Sequence, residues 1–417
     1  MKKSLFSAGA LLLALGVSAQ STTKFVETID SVNIYNIMVE NAPQRPKMKD
    51  VPRFALVGKD NKFYLGVGAN LKFVGDYDWG NPVSDANNFH PANISKAAPG
   101  DGGKTQFSVG QSNFYLNFVG LPGTGNQIGI YLDINFLGAN AKAVALHHAY
   151  LKYRGISAGY VASVFTDLAA EPYAIDFAGP NAITFVRTPS ISYTQKFGKD
   201  KMWSAAIGFD MPSMAGFTTD GYTKRVNQRM PNIPINIQRS WAGGKGWLRA
   251  SAIFRDLQYR DLTANDHAGK NTGAFGWGVK LSGKTPIVGG LSAYYQAVYG
   301  KGISSYINDL EGLDMDLVPS TTDGKMQAVK AWGAYGTLRY DFSSKVFMNA
   351  TYSQVRAYDP FKTADTYKYG QYVTANLIWN INSFASAGVE YLWGRRVDFG
   401  GAQYHDNRVM LMLQVSI

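Results

Sequence analysis

Apolar and polar residues alternate with period two along most of this chain. In 127–136, Ile128, Ile130, Leu132, Ile134 and Phe136 fall on one parity, and Gln127, Gly129, Tyr131, Asp133 and Asn135 on the other. The last residues repeat the pattern, with Val409, Leu411, Leu413, Val415 and Ile417 against Arg408, Met410, Met412, Gln414 and Ser416. Successive side chains of a strand point to opposite faces, so each run offers one apolar and one polar face. Water-soluble sandwiches alternate too, but over strands of about 5–6 residues. Runs of ten or more match the about 9–11 residues that a tilted strand needs to cross lipid.

The alternation predicts sixteen strands, over 62–76, 105–119, 127–137, 143–154, 156–165, 183–197, 201–211, 231–241, 246–260, 272–282, 290–300, 327–341, 345–356, 367–380, 384–397 and 405–417. Connections after even-numbered strands are tight, as at Arg154-Gly155, Gly198-Lys-Asp200 and Ser343-Ser344. Those after odd-numbered strands are mostly long and polar, notably 77–104, 166–182, 212–230 and 301–326. Short turns on one rim and long loops on the other mark a transmembrane antiparallel β-barrel. Closure satisfies every backbone group in lipid and leaves no edge. Sixteen strands also leave a water-filled lumen, whereas about eight would be plugged by their own side chains. An even count places both termini on the short-turn, periplasmic rim.

Composition narrows the alternatives. The chain is 46% hydrophobic and 13% aromatic but only 17% charged, against about 25% charge in soluble domains. So many large apolar groups exclude disorder. The absence of cysteine excludes disulfides, thiolate metal sites and a thiol nucleophile. The longest apolar run, Leu5 to Val17, is too short to span a bilayer as a helix. Lys2 and Lys3 precede it and Val17-Ser18-Ala19 follows, so residues 1–19 read as a signal peptide. Removing it takes the formal charge from +11 to +9, because only Lys2 and Lys3 leave with it. Residues 20–61 read as a periplasmic segment and linker punctuated by Pro43, Pro46 and Pro52, in which 28–40 suits a short helix or a short strand. The barrel takes 62–417.

Charges on strands carry the chemistry, since loop charges are usually solvated. On the ninth strand Leu248, Ala250, Ala252 and Phe254 face lipid, which turns Arg249 and Arg255 inward. The same test turns Arg339, Glu390, Arg396 and Arg408 inward, while the alternation around Arg187 breaks down. A lipid-facing arginine at mid-bilayer costs about 2–4 kcal/mol, so energy supports the assignment. These arginines either line the pore as a ring that favours anions or brace the wall against inward carboxylates such as Asp133, Asp210 and Glu390. Their number above that of the inward acids predicts anion preference, and the planar guanidinium fork suits carboxylate solutes. Residues 166–182 are too apolar for an ordinary surface loop. They fold into the lumen as a constriction bearing Asp167, Glu171, Tyr173 and Asp176, or they stay outside.

Three enzyme-like signals fail. Gly278-Val-Lys-Leu-Ser-Gly-Lys-Thr285 spells the phosphate-loop pattern, but it lies in alternating strand with no helix to follow. His147 and His148 are strand neighbours, expected on opposite faces and so unable to share a metal ion. His90, His267 and His405 lie on or beside loops without zinc spacing. No strand brings Ser, His and a third group together on one face. No cofactor and no metal are expected. The arginines are spread singly over many strands, which argues against a nucleic-acid partner despite the basic balance.

The middle and end of the chain carry a further pattern. Leu146-His-His-Ala-Tyr-Leu151, Ala158-Gly159, Phe165-Thr-Asp167, Pro172, Asp176-Phe177, Gly179-Pro180 and Arg187-Thr-Pro189 occur in order. Gln228-Arg-Met-Pro231, Tyr299-Gly-Lys-Gly302, Tyr306-Ile-Asn-Asp309, Ala375-Asn-Leu-Ile-Trp379 and Gly388-Val-Glu-Tyr-Leu-Trp-Gly-Arg-Arg396 follow. Over roughly 145–417 this order resembles the DcaP-like porins. The resemblance implies a homotrimer in the bacterial outer membrane that passes small organic anions such as dicarboxylates and aromatic acids, and it tips 166–182 toward the lumen. The chain departs from that family in lacking heptads over 21–61 and in ending on Ile417 instead of an aromatic residue. The same architecture also serves structural or adhesive surface proteins and, less often, barrel hydrolases.

Overall fold

The computed structural model describes residues 24–26, 32–44, 52, 54–96, 103–139, 143–212, 221–263, 269–319, 325–358 and 363–417. The leader expected at 1–19 lies outside the described residues, as does Pro46. Sixteen strands follow one another around a closed antiparallel barrel. They are β1 (Phe63–Gly80), β2 (Lys104–Ser108 with Asn113–Gly120), β3 (Ile128–Asn135), β4 (Ala145–Tyr153), β5 (Ile156–Ala162), β6 (Arg187–Phe197), β7 (Trp203–Asp210) and β8 (Ile233–Trp241). The second half comprises β9 (Gly246–Asp261), β10 (Lys270–Val288), β11 (Leu291–Lys301), β12 (Lys330–Asp341), β13 (Val346–Tyr358), β14 (Tyr367–Asn380), β15 (Ala385–Asp398) and β16 (Gln403–Ser416). Each overlaps one expected strand. β16 pairs with β1 from Ser416 opposite Asn70 to Asp406 opposite Gly80, which closes the ring.

Alternation is the reason these segments are strands, and exposure shows it. Leu71, Phe107, Leu411 and Leu413 on the outer face leave 60–70% of their surface uncovered, an apolar belt that only lipid can satisfy. Aromatic pairs edge this belt, Phe63–Phe118 and Phe197–Trp203 toward the short turns and Tyr77–Trp79 toward the long loops. The short turns use the backbone that two-residue hairpins demand. Arg154 and Gly155 both have positive φ, 48° and 83°, and so do Gly289 and Gly290. The β10–β11 turn falls at this glycine pair, slightly beyond the expected end of β10, because a bulge at Pro286 to Val288 carries the strand past the proline.

The interior is only partly open. Residues 163–186 and 302–319 fold inside, where Phe165, Ile183, Ile303, Tyr306, Ile307 and Leu310 pack on wall residues Ile253, Val298, Tyr335 and Val355. Residues 81–96 do the same against the closing strands, seating Val83, Phe89 and Ile94 with Ile175 on Val74, Tyr372, Leu392, Met410 and Met412. Inward apolar positions in that sector are therefore core, not pore. The open choice for 28–40 falls to a helix, α1 (Val32–Asn41), which docks at the short-turn rim. Ile34, Ile37 and Met38 pack with Ala55 and Val119, while Phe54–Val57 adds a short strand beside β1.

Candidate functional site

The inward loop 163–186 is tied down at every stage. Asp167 accepts from the hydroxyl of Ser282 at 2.7 Å and the indole of Trp247 at 3.2 Å, and pairs with Arg249 at 3.3 Å. Tyr335 donates its hydroxyl to the carbonyl of Ala170, and Asn349 and Asn376 donate to that of Tyr173. Glu390 accepts the backbone N–H groups of Ile175 and Asp176, both at 2.9 Å, and the amide of Asn376 at 2.8 Å. Asp176 in turn accepts from the backbone of Phe89, Ala178 and Gly179 and from Tyr372. Asp167, Glu171 and Asp176 are buried. Loop 163–186 lies inside the barrel, where Asp167 and Asp176 serve as anchors.

Each arginine assigned by parity has a carboxylate partner. Arg255 lies 3.0 Å from Asp316 of the 302–329 connection, with neither side chain exposed. Arg408 grips both oxygens of Asp78 across the β16–β1 seam, donates to the carbonyls of Asp85 and Val83, and is likewise fully buried. Arg396 pairs with Asp398 and donates to the carbonyl of Ala92; Arg339 pairs with Asp341. Arg187 donates to the carbonyl of His147 at 3.1 Å. Two expectations need correction here. Inward arginines do not outnumber inward acids, since Asp76, Asp78, Asp133, Asp210, Glu390, Asp398 and Asp406 are buried along the wall. Nor do Arg255, Arg408 and Glu390 border water; a charge whose partner sits on an inward loop or a neighbouring strand is a brace. Arg249 and Arg339 keep about a fifth of their side-chain surface exposed, 22% and 21%.

Among the described residues, a cavity opens at each rim. The long-loop cavity, about 710 Å³, lies between β4 and the inward loops and carries Glu171, Glu311 and Asp314 opposite His90 and Arg187. Burial raises the Glu311 carboxyl above its ordinary range, with His90 and Arg187 pulling the other way. The short-turn cavity, about 1270 Å³, carries Lys152, Arg154, Lys196 and Lys201 against Glu40 and Asp200. Gln238 also lines it, and Arg249 donates to Gln238 at 2.9 Å, so this partly exposed guanidinium stands next to the cavity. Helix α1 forms part of the same mouth. Asn41 donates to Asn117 and to the carbonyls of Phe118 and Ile130, and its own carbonyl accepts from Tyr150 at 2.6 Å and Lys152 at 2.9 Å. Sequence reasoning passed over Lys152, although parity from lipid-facing Leu151 marks it as inward.

The histidine pair also departs from expectation. A β-bulge between β3 and β4 turns His147 and His148 to the same side, both bonded to Asp133. Strict alternation fails wherever a strand carries an extra residue. The phosphate-loop spelling at 278–285 lies wholly within β10.

Comparison with known proteins agrees with the geometry. The sequence profile of the Porin subfamily matches residues 103–403. The outer membrane channel DcaP of Acinetobacter baumannii has the same fold, with a TM-score of 0.74 at 20% identity over 87% of this chain and 100% of that one. OmpT of Vibrio cholerae, in a trimer form, gives 0.50 at 9% identity over 85% of this chain and 99% of its own. An anion-selective porin from Comamonas acidovorans gives 0.51 at 11% identity over 85% and 100%. No curated protein sequence matches the chain.

Proposed function

Because this chain belongs to the porin family, and so is a channel of the bacterial outer membrane, we propose that it passes small hydrophilic organic anions, dicarboxylates and aromatic acids among them. The observation that carries the reading is the short-turn mouth. Four cationic side chains, Lys152, Arg154, Lys196 and Lys201, face two acids there, and Arg249 continues the basic surface inward. The Debye length is about 8 Å at physiological salt, so such charges act with little screening on an ion that passes closer than that. The long-loop mouth has the opposite balance. Selectivity is therefore set at the inner mouth and at Arg249, not by a ring of wall arginines. A homotrimer is part of the same proposal, supported by the trimer form of OmpT and by the lipid-facing apolar belt.

Reversal potentials of the purified protein in planar bilayers, measured across a salt gradient, test the sign of selectivity. The expected result is anion preference, with faster uptake of dicarboxylates than of neutral solutes of equal size into loaded vesicles. A cation-selective wild type would sink the proposal. Chemical cross-linking in detergent tests the trimer, and a monomer at all protein concentrations would remove that part.

A further inference from the structure

One extra residue in the barrel wall gathers three metal-type ligands. β3 and β4 pair Asp133 with His148 and Ile134 with Leu146, which leaves His147 as the extra residue of a bulge. A bulge re-aims a side chain that alternation would send to the other face. The two imidazoles meet edge to face with centroids 4.6 Å apart, and their Nδ1 atoms approach different oxygens of Asp133, each at 2.8 Å. All three residues are buried. His147 and Asn135 also border the long-loop cavity, so an ion reaches the group from water.

We infer that Asp133, His147 and His148 form a binding site for a divalent transition ion of the zinc type. Two imidazole nitrogens and a carboxylate oxygen suit zinc, cobalt or nickel, whereas calcium and magnesium take oxygen ligands. Metal–ligand bonds of about 2.0–2.2 Å at octahedral or tetrahedral angles set donor atoms about 2.8–3.5 Å apart. The observed Nδ1-to-oxygen separations already lie at the short end of that range, and the three ligand atoms lie within 4.8 Å of one another, so an ion draws them together. The surroundings hold the ligands in place. Tyr131 and Tyr150 flank His148 edge-on, Phe177 of the inward loop covers His147, and Arg187 fixes the bulge by donating to the His147 carbonyl. An ion here sits directly beside the inward loop 163–186.

The test uses the mature protein in detergent, stripped with a chelator and titrated with Co²⁺ and then Zn²⁺. One Co²⁺ per barrel is expected, with visible ligand-field bands that Zn²⁺ abolishes. Deletion of His147 is the sharpest variant. It leaves Asp133 opposite His148 and Ile134 opposite Leu146 in a regular ladder, so register survives while a ligand is lost. Changes in the outer shell of a metal site alone weaken affinity about 10–100-fold, so losing a ligand should weaken it by at least roughly tenfold. Replacing His90 and His405 by Ala together should leave Co²⁺ uptake unchanged. Absence of stoichiometric Co²⁺ uptake by the wild type, unchanged affinity after the deletion, or loss of uptake in the His90/His405 variant each overturns the site. If the deletion variant loses heat-modifiable migration on gels, Asp133→Asn takes its place with the same expected loss.

Discussion

Replacing Arg249 and Arg255 one at a time separates two roles that look alike from the sequence. Arg255 has no exposed side-chain surface and lies 3.0 Å from an equally buried Asp316. Arg255→Ala leaves that carboxylate buried without its cation, and breaking such a pair costs about 3–5 kcal/mol. Asp316 also accepts the backbone N–H of Ser305, so the damage spreads to the inward residues 302–319. The expected result is a lower midpoint of heat-modifiable migration and a larger, noisier conductance, with the reversal potential nearly unmoved. Arg249 is 22% exposed, and its partner Asp167 keeps Ser282 and Trp247 as donors. Arg249→Ala therefore leaves the inward loop attached and removes one positive charge from the water path. A unit charge about 4 Å from a passing ion is worth about 1 kcal/mol in bulk water, a factor of about five in permeability ratio. Reversal potentials in planar bilayers read the selectivity, and gel migration against temperature reads the stability. Should Arg255→Ala shift selectivity as much as Arg249→Ala while its melting midpoint stays put, the division between brace and pore charge is wrong.

Glu390→Ala removes an acceptor from two backbone N–H groups and the Asn376 amide. At about 1–3 kcal/mol for each buried group left unsatisfied, it should loosen loop 163–186 and raise single-channel noise, with Glu390→Gln milder; equal traces for Ala and wild type would contradict the clamp. A side chain on Gly129 would begin 2.1 Å from Asn41 Oδ1, so Gly129→Val should expel α1 from the short-turn mouth and raise conductance while strand circular dichroism stays constant. Because burial raises the Glu311 carboxyl, it takes up its proton early as pH falls and removes a negative charge from the long-loop mouth. Anion preference should rise on acidification, and Glu311→Gln should hold at the acidic value while weakening that pH dependence.

Much of the barrel was readable because lipid enforces parity. Leu248 and Phe254 on the outside necessarily put Arg249 and Arg255 on the inside, and sixteen strands emerged in order from that rule alone. What parity cannot supply is the partner of an inward group. Asp316 lies about sixty residues from Arg255 in sequence, and Asp78 sits at the far end of the chain from Arg408, so wall braces and pore charges read identically. The bulge at His147 escaped for a related reason. A single added residue leaves the surrounding alternation intact on both sides and betrays itself only through pairing with β3. Helix α1 stayed open between helix and strand because its apolar face is short and much of its stability comes from Asn117, Tyr150 and Lys152 on other strands.

The clasp between Arg408 and Asp78 has a bearing on how the chain assembles. It joins residues 330 positions apart, so the last strand to be made must find the first, a long-range step and therefore a slow one. Until then both terminal strands present open edges that invite pairing with other chains. A closure slipped by one residue would swing Arg408 out to the lipid face and leave Asp78 inside alone. Only the native register lets one guanidinium satisfy Asp78 together with the carbonyls of Val83 and Asp85, which belong to the inward connection after β1. Sealing the ring and packing that connection are thus a single cooperative event, and the buried charge works as a proofreader of the final zippering step.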